Sequence, residues 1–283
     1  MSASLTLAGV VGYPVAHSLS PKLHGFWLKQ HRIHGCYLPL AVRPEQFSLL
    51  IHALQVAGFA GVNVTIPHKQ AAFAICETVD EGARKTGAAN LIIFRNSQIH
   101  GFNTDVGGLC ASLEQDFGRV SLAGKKAVLL GAGGAARAAI VALDRLGMAE
   151  IRVVNRDPGR MTTLIGELRR HATAELLAFE WQRWPEAADA AALLLNATSG
   201  GMAGERNLTI SLEPLPKEAT VYDLVYNPSE TILLKQARER GHKCANGLGM
   251  LMHQAVPSFE AFFGIRPAVT PELQAELEQA LSL

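Results

Sequence analysis

The segment Gly131-Ala132-Gly133-Gly134-Ala135-Ala136 constrains this chain more than any other stretch. It follows a dense apolar run at residues 126–130 and precedes an alanine-rich stretch that lasts to Gly147. The apolar run reads as a buried strand and the alanines as a helix. A strand that turns directly into a helix through small residues at the spacing Gly131-x-Gly133-x-x-Ala136 is the dinucleotide-binding pattern. Gly131 permits the tight turn, Gly133 lets backbone approach a pyrophosphate, and Ala136 allows close helix–strand packing. Ala132, Gly134 and Ala135 complete the loop. The N-terminus of the following helix presents free N–H groups and a partial positive charge to phosphate.

The next strand is expected at 151–154 and runs into Asn155-Arg156-Asp157-Pro158-Gly159-Arg160, where the adenosine ribose of a dinucleotide would sit. Arg156 and Arg160 suit the 2′-phosphate of NADP. Asp157 suits the 2′-hydroxyl of NAD and would repel a phosphate. The cofactor reads as NAD(P), with a slight lean to NAD because an unneutralised carboxylate beside a phosphate is costly.

Upstream, strands are expected at 5–11, 37–42 and 61–66, with a hairpin of 90–94 and 98–101 around Asn96-Ser97. Helices are expected at 21–31, with Ser20 as N-cap, and at 45–57, stopping at Gly58. A helix and a short connection are expected between 106 and 124. Downstream come strands at 193–195 and 220–225, helices at 158–171 and 229–240, and a mostly helical stretch from Gly247. The alanines of 187–192 read as helix formers. Strand alternating with helix implies an α/β architecture with largely parallel sheets, one of them in a Rossmann-type dinucleotide-binding domain.

With 283 residues, two domains are expected, and 48% hydrophobic content supplies their cores. A net charge of +1 gives no broad attraction to nucleic acid or to an anionic membrane, and no apolar run is long enough for a transmembrane helix. The N-terminal residues lack a secretory pattern, so a cytoplasmic protein is expected, either monomer or homodimer. Cys36, Cys76, Cys110 and Cys244 form no C-x-x-C pair, and no Cys/His cluster has metal-ligand spacing, so free thiols and no metal are expected.

Four polar clusters interrupt the apolar stretches of the first half. Gly12-Tyr13-Pro14-x-x-His17-Ser18-Leu19-Ser20-Pro21-x-x-His24 offers two hydroxyls suited to a carboxylate. Asn63-Val64-Thr65-Ile66-Pro67-His68-Lys69 places a cation at a strand end. Gly87-Ala88-Ala89-Asn90 and Gly101-Phe102-Asn103-Thr104-Asp105 add an amide and a carboxylate.

In this order, and followed by Asn196-Ala197-Thr198-Ser199-x-Gly201, Tyr222-Asp223-x-x-Tyr226-x-Pro228 and Gly247-x-x-Met250-Leu251-x-x-Gln254, the clusters resemble the shikimate dehydrogenase family across nearly the whole chain. The resemblance implies reversible NAD(P)-dependent reduction of 3-dehydroshikimate to shikimate. It implies a discontinuous α/β substrate domain, residues 1–105, whose C-terminal helices 246–283 return to it after a dinucleotide domain at 106–245. By resemblance, Ser18 and Ser20 hold the substrate carboxylate with Tyr226 nearby. Thr65, Lys69, Asn90, Asp105 and Gln254 bind ring hydroxyls, with Lys69 and Asp105 as the catalytic pair. Thr198, Val225, Gly247 and Met250 join the glycine loop and the Asn155–Arg160 segment around the cofactor.

An adjacent Asp favours the ammonium form of Lys69, which suits a proton donor in the reducing direction. Gly25 stands where the family usually has Asn, Leu91 where it usually has Thr, and Asp157 where it usually has a small hydroxyl residue. The first two departures suggest a divergent branch, which can use quinate or an amino analogue, and the third makes NAD a contender; a metabolite-binding sensor without turnover is a separate alternative. Retention of Ser20, where quinate-using members resemble Thr, favours shikimate.

Overall fold

The computed structural model describes residues 5–118 and 122–281. They divide into two compact units: the chain through Asp105 with Leu251 onward, and Val106–Met250. Each holds a six-stranded, mainly parallel α/β sheet.

The first unit contains β1 (Thr6–Gly12), β2 (Gly35–Ala41), β3 (Gly61–Val64), β4 (Thr78–Val79), β5 (Leu91–Arg95) and β6 (Gln98–Phe102), in the order β2-β1-β3-β5-β6-β4. β1 runs parallel to β2 and β3, whereas β5 is antiparallel to both β3 and β6. The β5–β6 hairpin turns at Asn96 (φ 52°) and Ser97 (φ 60°). Positive φ at both turn residues matches the right-handed twist of the paired strands. Four helices precede the crossing to the second unit: α1 (Ser20–Gln30), α2 (Phe47–Val56), α3 (Lys69–Ile75) and α4 (Glu81–Thr86).

Strand β3 ends two residues before the expected 66 because the Thr65 carbonyl turns to accept from His68 N–H at 2.9 Å. The N-cap role expected of Ser20 is not found. α1 begins at Ser20 itself, Leu19 already has helical backbone and accepts from Leu23 N–H, and no side chain caps the helix.

The second unit carries α5 (Asp105–Phe117), shared with the first at Asp105, and the strands β7 (Lys126–Leu130), β8 (Glu150–Asn155), β9 (Glu175–Glu180), β10 (Ala191–Asn196), β11 (Thr220–Asp223) and β12 (Cys244–Asn246). Residues 119–121 of the expected connection after α5 lie outside the described residues. The strand order β12-β11-β10-β7-β8-β9 is parallel throughout, the doubly wound arrangement of a Rossmann-type fold. Helices α6 (Gly134–Arg145), α7 (Pro158–Leu168), α8 (Trp184–Ala188) and α9 (Ile232–Glu239) accompany it.

The alanine run 187–192 is not one helix. It ends α8, breaks at Ala190 (φ 53°) and enters β10, where Ala191 is buried beside β7. Burial in a central strand outweighs alanine's helix preference.

Helix α10 (Leu248–Phe263) begins in the second unit and ends in the first, where α11 (Pro271–Leu281) follows. The chain leaves the second unit at Met250 rather than at the expected 245. Two close approaches hold β12 and the first turn of α10 there: a Cβ on Gly247 would lie 2.1 Å from the Leu224 carbonyl oxygen, and one on Gly249 would lie 2.4 Å from Ser112 Oγ.

His24 of α1 stacks on Tyr37 with ring centroids 3.9 Å apart, among Trp27, Phe259 and Phe262. Among the described residues neither ring nitrogen finds a hydrogen-bond partner, and burial lowers its pKa to about 3. The unfolded chain therefore takes up this proton first as pH falls. His24 contributes stability above about pH 6.5 that is lost on acidification, at about 1.4 kcal/mol per pH unit. Urea titrations at pH 7 and pH 5 should show a smaller drop for His24→Phe than for the unaltered chain. Equal drops would assign the acid sensitivity elsewhere.

Among the described residues, no helix is long and apolar enough to cross a membrane, and no group of three or more His, Cys, Asp or Glu could hold a metal ion. None of the four cysteines forms a disulfide.

Candidate active site

In the first unit, the polar side chains converge where the strands end. β1 and β3 are neighbours and parallel, so the loops after Gly12 and Val64 leave the sheet at the same edge. Their contact is tight: a Cβ on Gly12 would lie 2.4 Å from Thr65 Cγ2. Gly12 is thus required by the neighbouring loop rather than by its own backbone. Thr65 is half-buried there, its N–H bonded to the Val11 carbonyl.

Lys69 opens α3, and its Nζ donates to Asp105 Oδ2 at 2.7 Å. The side chains are 17% and 7% exposed, so the pair is largely desolvated yet reachable. Asp105 is the first residue of α5, where the helix N-terminus favours a carboxylate.

Asn90 is the hub. Its Nδ2 lies within 3.2 Å of Asp105 Oδ1, Thr104 Oγ1 and Gln254 Oε1, and its Oδ1 accepts from Thr104 N–H at 2.7 Å. Gln254 Nε2 donates to the Leu251 carbonyl, which fixes the direction of its amide. Lys69, Asn90, Asp105 and Gln254, far apart in sequence, therefore form one connected polar cluster.

Ser18 and Ser20 sit side by side, Ser20 N–H donating to Ser18 Oγ at 3.3 Å. The Ser20 hydroxyl meets the Tyr37 hydroxyl, which donates to Asn63 Oδ1 at 2.8 Å. Asn63 Nδ2 continues to the Asn90 carbonyl and to Ser258 Oγ. Tyr37 and Ser258 were not foreseen as site support. Each looks like an ordinary strand or helix residue until the fold brings it beside Asn63. Tyr226 belongs to the second unit, in the loop after β11.

Of the departures from the family pattern, Gly25 is exposed on α1, with nothing within 4 Å of where a Cβ would stand. Leu91 is core in β5. Neither belongs to the polar cluster.

In the second unit, β7 and β10 are adjacent, and the order reverses between them. Ligands of doubly wound sheets bind at this switch point. Gly131 follows β7 with φ 108°, and a Cβ there would press on Thr198 Cγ2 at 3.0 Å and the Ala197 carbonyl at 3.1 Å. Both the turn and the neighbouring loop demand glycine.

Gly133 caps α6 without a side-chain bond, the first turn holds no acidic residue, and a Cβ on Gly133 or Gly134 would meet nothing within 4 Å. Open backbone N–H groups at an uncapped helix N-terminus fit a pyrophosphate. Ala132 and Ala135 stand between and after these glycines. The Thr198 loop is built by Asn196, whose Oδ1 accepts from Thr198 N–H and Oγ1 and whose Nδ2 donates to buried Asp223 at 2.8 Å. Asp223 also holds Val225 N–H, and the Val225 carbonyl accepts from Gly247 N–H. Met250 N–H bonds the Tyr222 hydroxyl.

At the end of β8, Asn155 Oδ1 accepts from Arg156 N–H. The Arg156 guanidinium lies 4.9 Å from the Trp181 ring centroid. Asp157 is the N-cap of α7, its Oδ1 accepting from Arg160 N–H at 3.1 Å while Oδ2 lies 3.9 Å from Arg160 Nε. The lean to NAD rested on a free carboxylate at this position. The carboxylate is instead turned into the helix end and offset by Arg160, so the reason for the lean fails.

Residues 10–92 match the shikimate dehydrogenase substrate binding domain, and residues 112–203 match the shikimate / quinate 5-dehydrogenase family. A shikimate dehydrogenase (NADP(+)) of Paramagnetospirillum magneticum is 45% identical over 97% of this chain and 99% of its own. The chain belongs to the shikimate dehydrogenase family. Among solved structures, the shikimate 5-dehydrogenase of Thermus thermophilus, in complex with NADP(H) and shikimate, is 35% identical with a TM-score of 0.84, covering 98% of each chain. The shikimate 5-dehydrogenase of Listeria monocytogenes, in complex with shikimate and NAD, is 25% identical with a TM-score of 0.85, covering 98% of this chain and 96% of its own. Members of one family thus appear with either nicotinamide dinucleotide.

Proposed function

We propose that this shikimate dehydrogenase family member catalyses the reversible, NADP-dependent reduction of 3-dehydroshikimate to shikimate. The observation that carries the reading is the Lys69–Asp105 pair at 2.7 Å, tied through Asn90 to Gln254. The reduced cofactor, NADPH, would when bound supply the hydride for the ring carbonyl carbon and leave as NADP(+). The protein's part is to place the carbonyl, stabilise the charge that develops on its oxygen, and deliver a proton there.

Lys69 serves both charge and proton needs. Its ammonium, oriented by Asp105, donates to the developing alkoxide, and its positive charge stabilises that oxygen in a largely desolvated setting. Asp105 accepts a hydrogen bond from a neighbouring ring hydroxyl and orients Lys69. In the oxidising direction the same contacts run backwards. Asn90, Gln254 and Thr65 bind the remaining hydroxyls, and Ser18, Ser20 and Tyr226 bind the carboxylate. Thr198, Val225, Gly247 and Met250 flank the nicotinamide half of the cofactor, and Asn155, Arg156 and Arg160 hold its ribose 2′-phosphate.

The test is a spectrophotometric assay of the purified protein with shikimate and quinate, each against NADP and NAD. Turnover of shikimate with NADP, at least tenfold better in kcat/KM than any other pairing, is expected. Preference for quinate would overturn the substrate assignment, and preference for NAD the cofactor assignment.

A further inference from the structure

Strands β8 and β9 pair in parallel register with Asn155 opposite Glu180. The next residue of each strand, Arg156 and Trp181, therefore leaves the sheet at the same edge and level. This is the edge at which the adenosine end of a dinucleotide is held in such a fold. The guanidinium of Arg156 stands over the indole at 4.9 Å.

Two other arginines on or just after these strands, Arg152 and Arg183, are committed to carboxylates. Arg152 is ion-paired with Glu150 and bonded to the carbonyls of Glu186, Ala187 and Asp189. Arg160 Nε lies 3.9 Å from Asp157 Oδ2 with both side chains largely exposed, so this guanidinium keeps donors for a phosphate. Arg183 makes a charged fork with Glu186 while lying over Phe179 at 5.1 Å. The contact given to Arg156 is an aromatic face. A carboxylate partner would occupy the guanidinium's N–H edge and cancel its charge. A ring under its face does neither, because stacking leaves the in-plane donors and the positive charge outward.

We propose that Trp181 is a positioning residue for cofactor selection: its indole holds the Arg156 guanidinium with donors free for the 2′-phosphate of NADP. The proposal rests on the NADP reading above and deepens it. Asp157 completes the arrangement. Turned into the cap of α7, its carboxylate is kept from pairing with Arg156. The arrangement accounts for an acidic residue being tolerated next to a phosphate site.

The experiment is equilibrium titration of NADP and NAD into the full chain, without substrate, measured by calorimetry. Adenosine 2′,5′-bisphosphate and AMP serve as a second probe pair. Trp181→Leu is expected to raise the Kd for NADP and for the bisphosphate about two- to fivefold, the range of an exposed cation–π contact. The Kd for NAD and AMP should stay unchanged, which also reports that the fold is intact. Trp181→Phe should restore most of the loss, because it keeps a ring face without the indole N–H.

Equal weakening of both members of each pair, or no change in either, would overturn the role of Trp181. If the unaltered chain prefers NAD, the NADP reading falls and this inference with it. If the unaltered chain prefers NADP and Arg156→Ala removes the preference while Trp181→Leu preserves it, only the inference falls.

Discussion

Lys69→Ala is expected to lower kcat by about a thousandfold, within the range for loss of a general acid that also stabilises an oxyanion. The Kd for NADP should not change, because Lys69 lies in the first unit and the glycine loop in the second. The fold should survive. Asp105 would keep the 2.9 Å bond from Asn90 and its place at the first turn of α5. Single-turnover measurements of shikimate oxidation, with binding measured separately, give the result. Near-normal turnover would remove Lys69 from the chemistry. Asp105→Asn is a useful companion. It keeps the shape but removes the charge that orients Lys69, so kcat should fall while the Lys69 side chain remains.

The second large effect is on stability. Asp223 is fully buried at the end of β11 and accepts from Asn196 Nδ2, Val225 N–H and Thr231 Oγ1, the last at 2.7 Å. Asp223→Ala strands all three donors, and Thr231 is also the N-cap of α9. The expected cost is about 3 kcal/mol, typical of a broken buried polar network. Dinucleotide affinity should fall with it, because Asn196 would lose the partner that aims it at Thr198.

Asp223→Asn should be far milder, since an amide oxygen keeps the acceptors on one side and Thr231 can accept from the amide nitrogen. Burial raises the Asp223 carboxyl above its ordinary value despite the bonds from Thr231, Val225 and Asn196. A carboxyl raised in the folded state holds its proton more tightly there than in the unfolded chain. Its contribution is present below about pH 4 and lost as pH climbs through the raised value. Asp223→Asn does not ionise, so its stability relative to the unaltered chain should rise over that interval. Urea denaturation followed by circular dichroism at several pH values measures both effects. A flat difference between the two chains would mean Asp223 titrates normally.

Much of this protein is legible in its sequence, for identifiable reasons. The strand at 126–130 and the glycine loop after it are written locally. A parallel strand buried from Ala127 to Leu130 must be apolar there, and a turn with φ 108° against a neighbouring loop needs glycine. The Asn96-Ser97 hairpin is local in the same way. The polar clusters were visible because Asn, Thr, Lys and Asp at strand ends stand out against apolar runs, and their order along the chain carried the family.

Tertiary structure decided the rest, because the deciding contacts join residues distant in sequence. Edge strand β9 buries only Leu176 among exposed and half-buried positions and offers little pattern. β12 is three residues long. The alanines after 190 became strand because they lead into 193–196, which pairs with a neighbouring strand on each edge. The consequence for function is clearest at the ribose end. Sequence could show that Asp157, Arg156 and Arg160 are near one another, but not which charges cancel. That depends on the helix cap that takes up the Asp157 carboxylate and on a tryptophan delivered by the next strand beneath Arg156. Charge is a property of residues, whereas the direction in which it faces is a property of the fold.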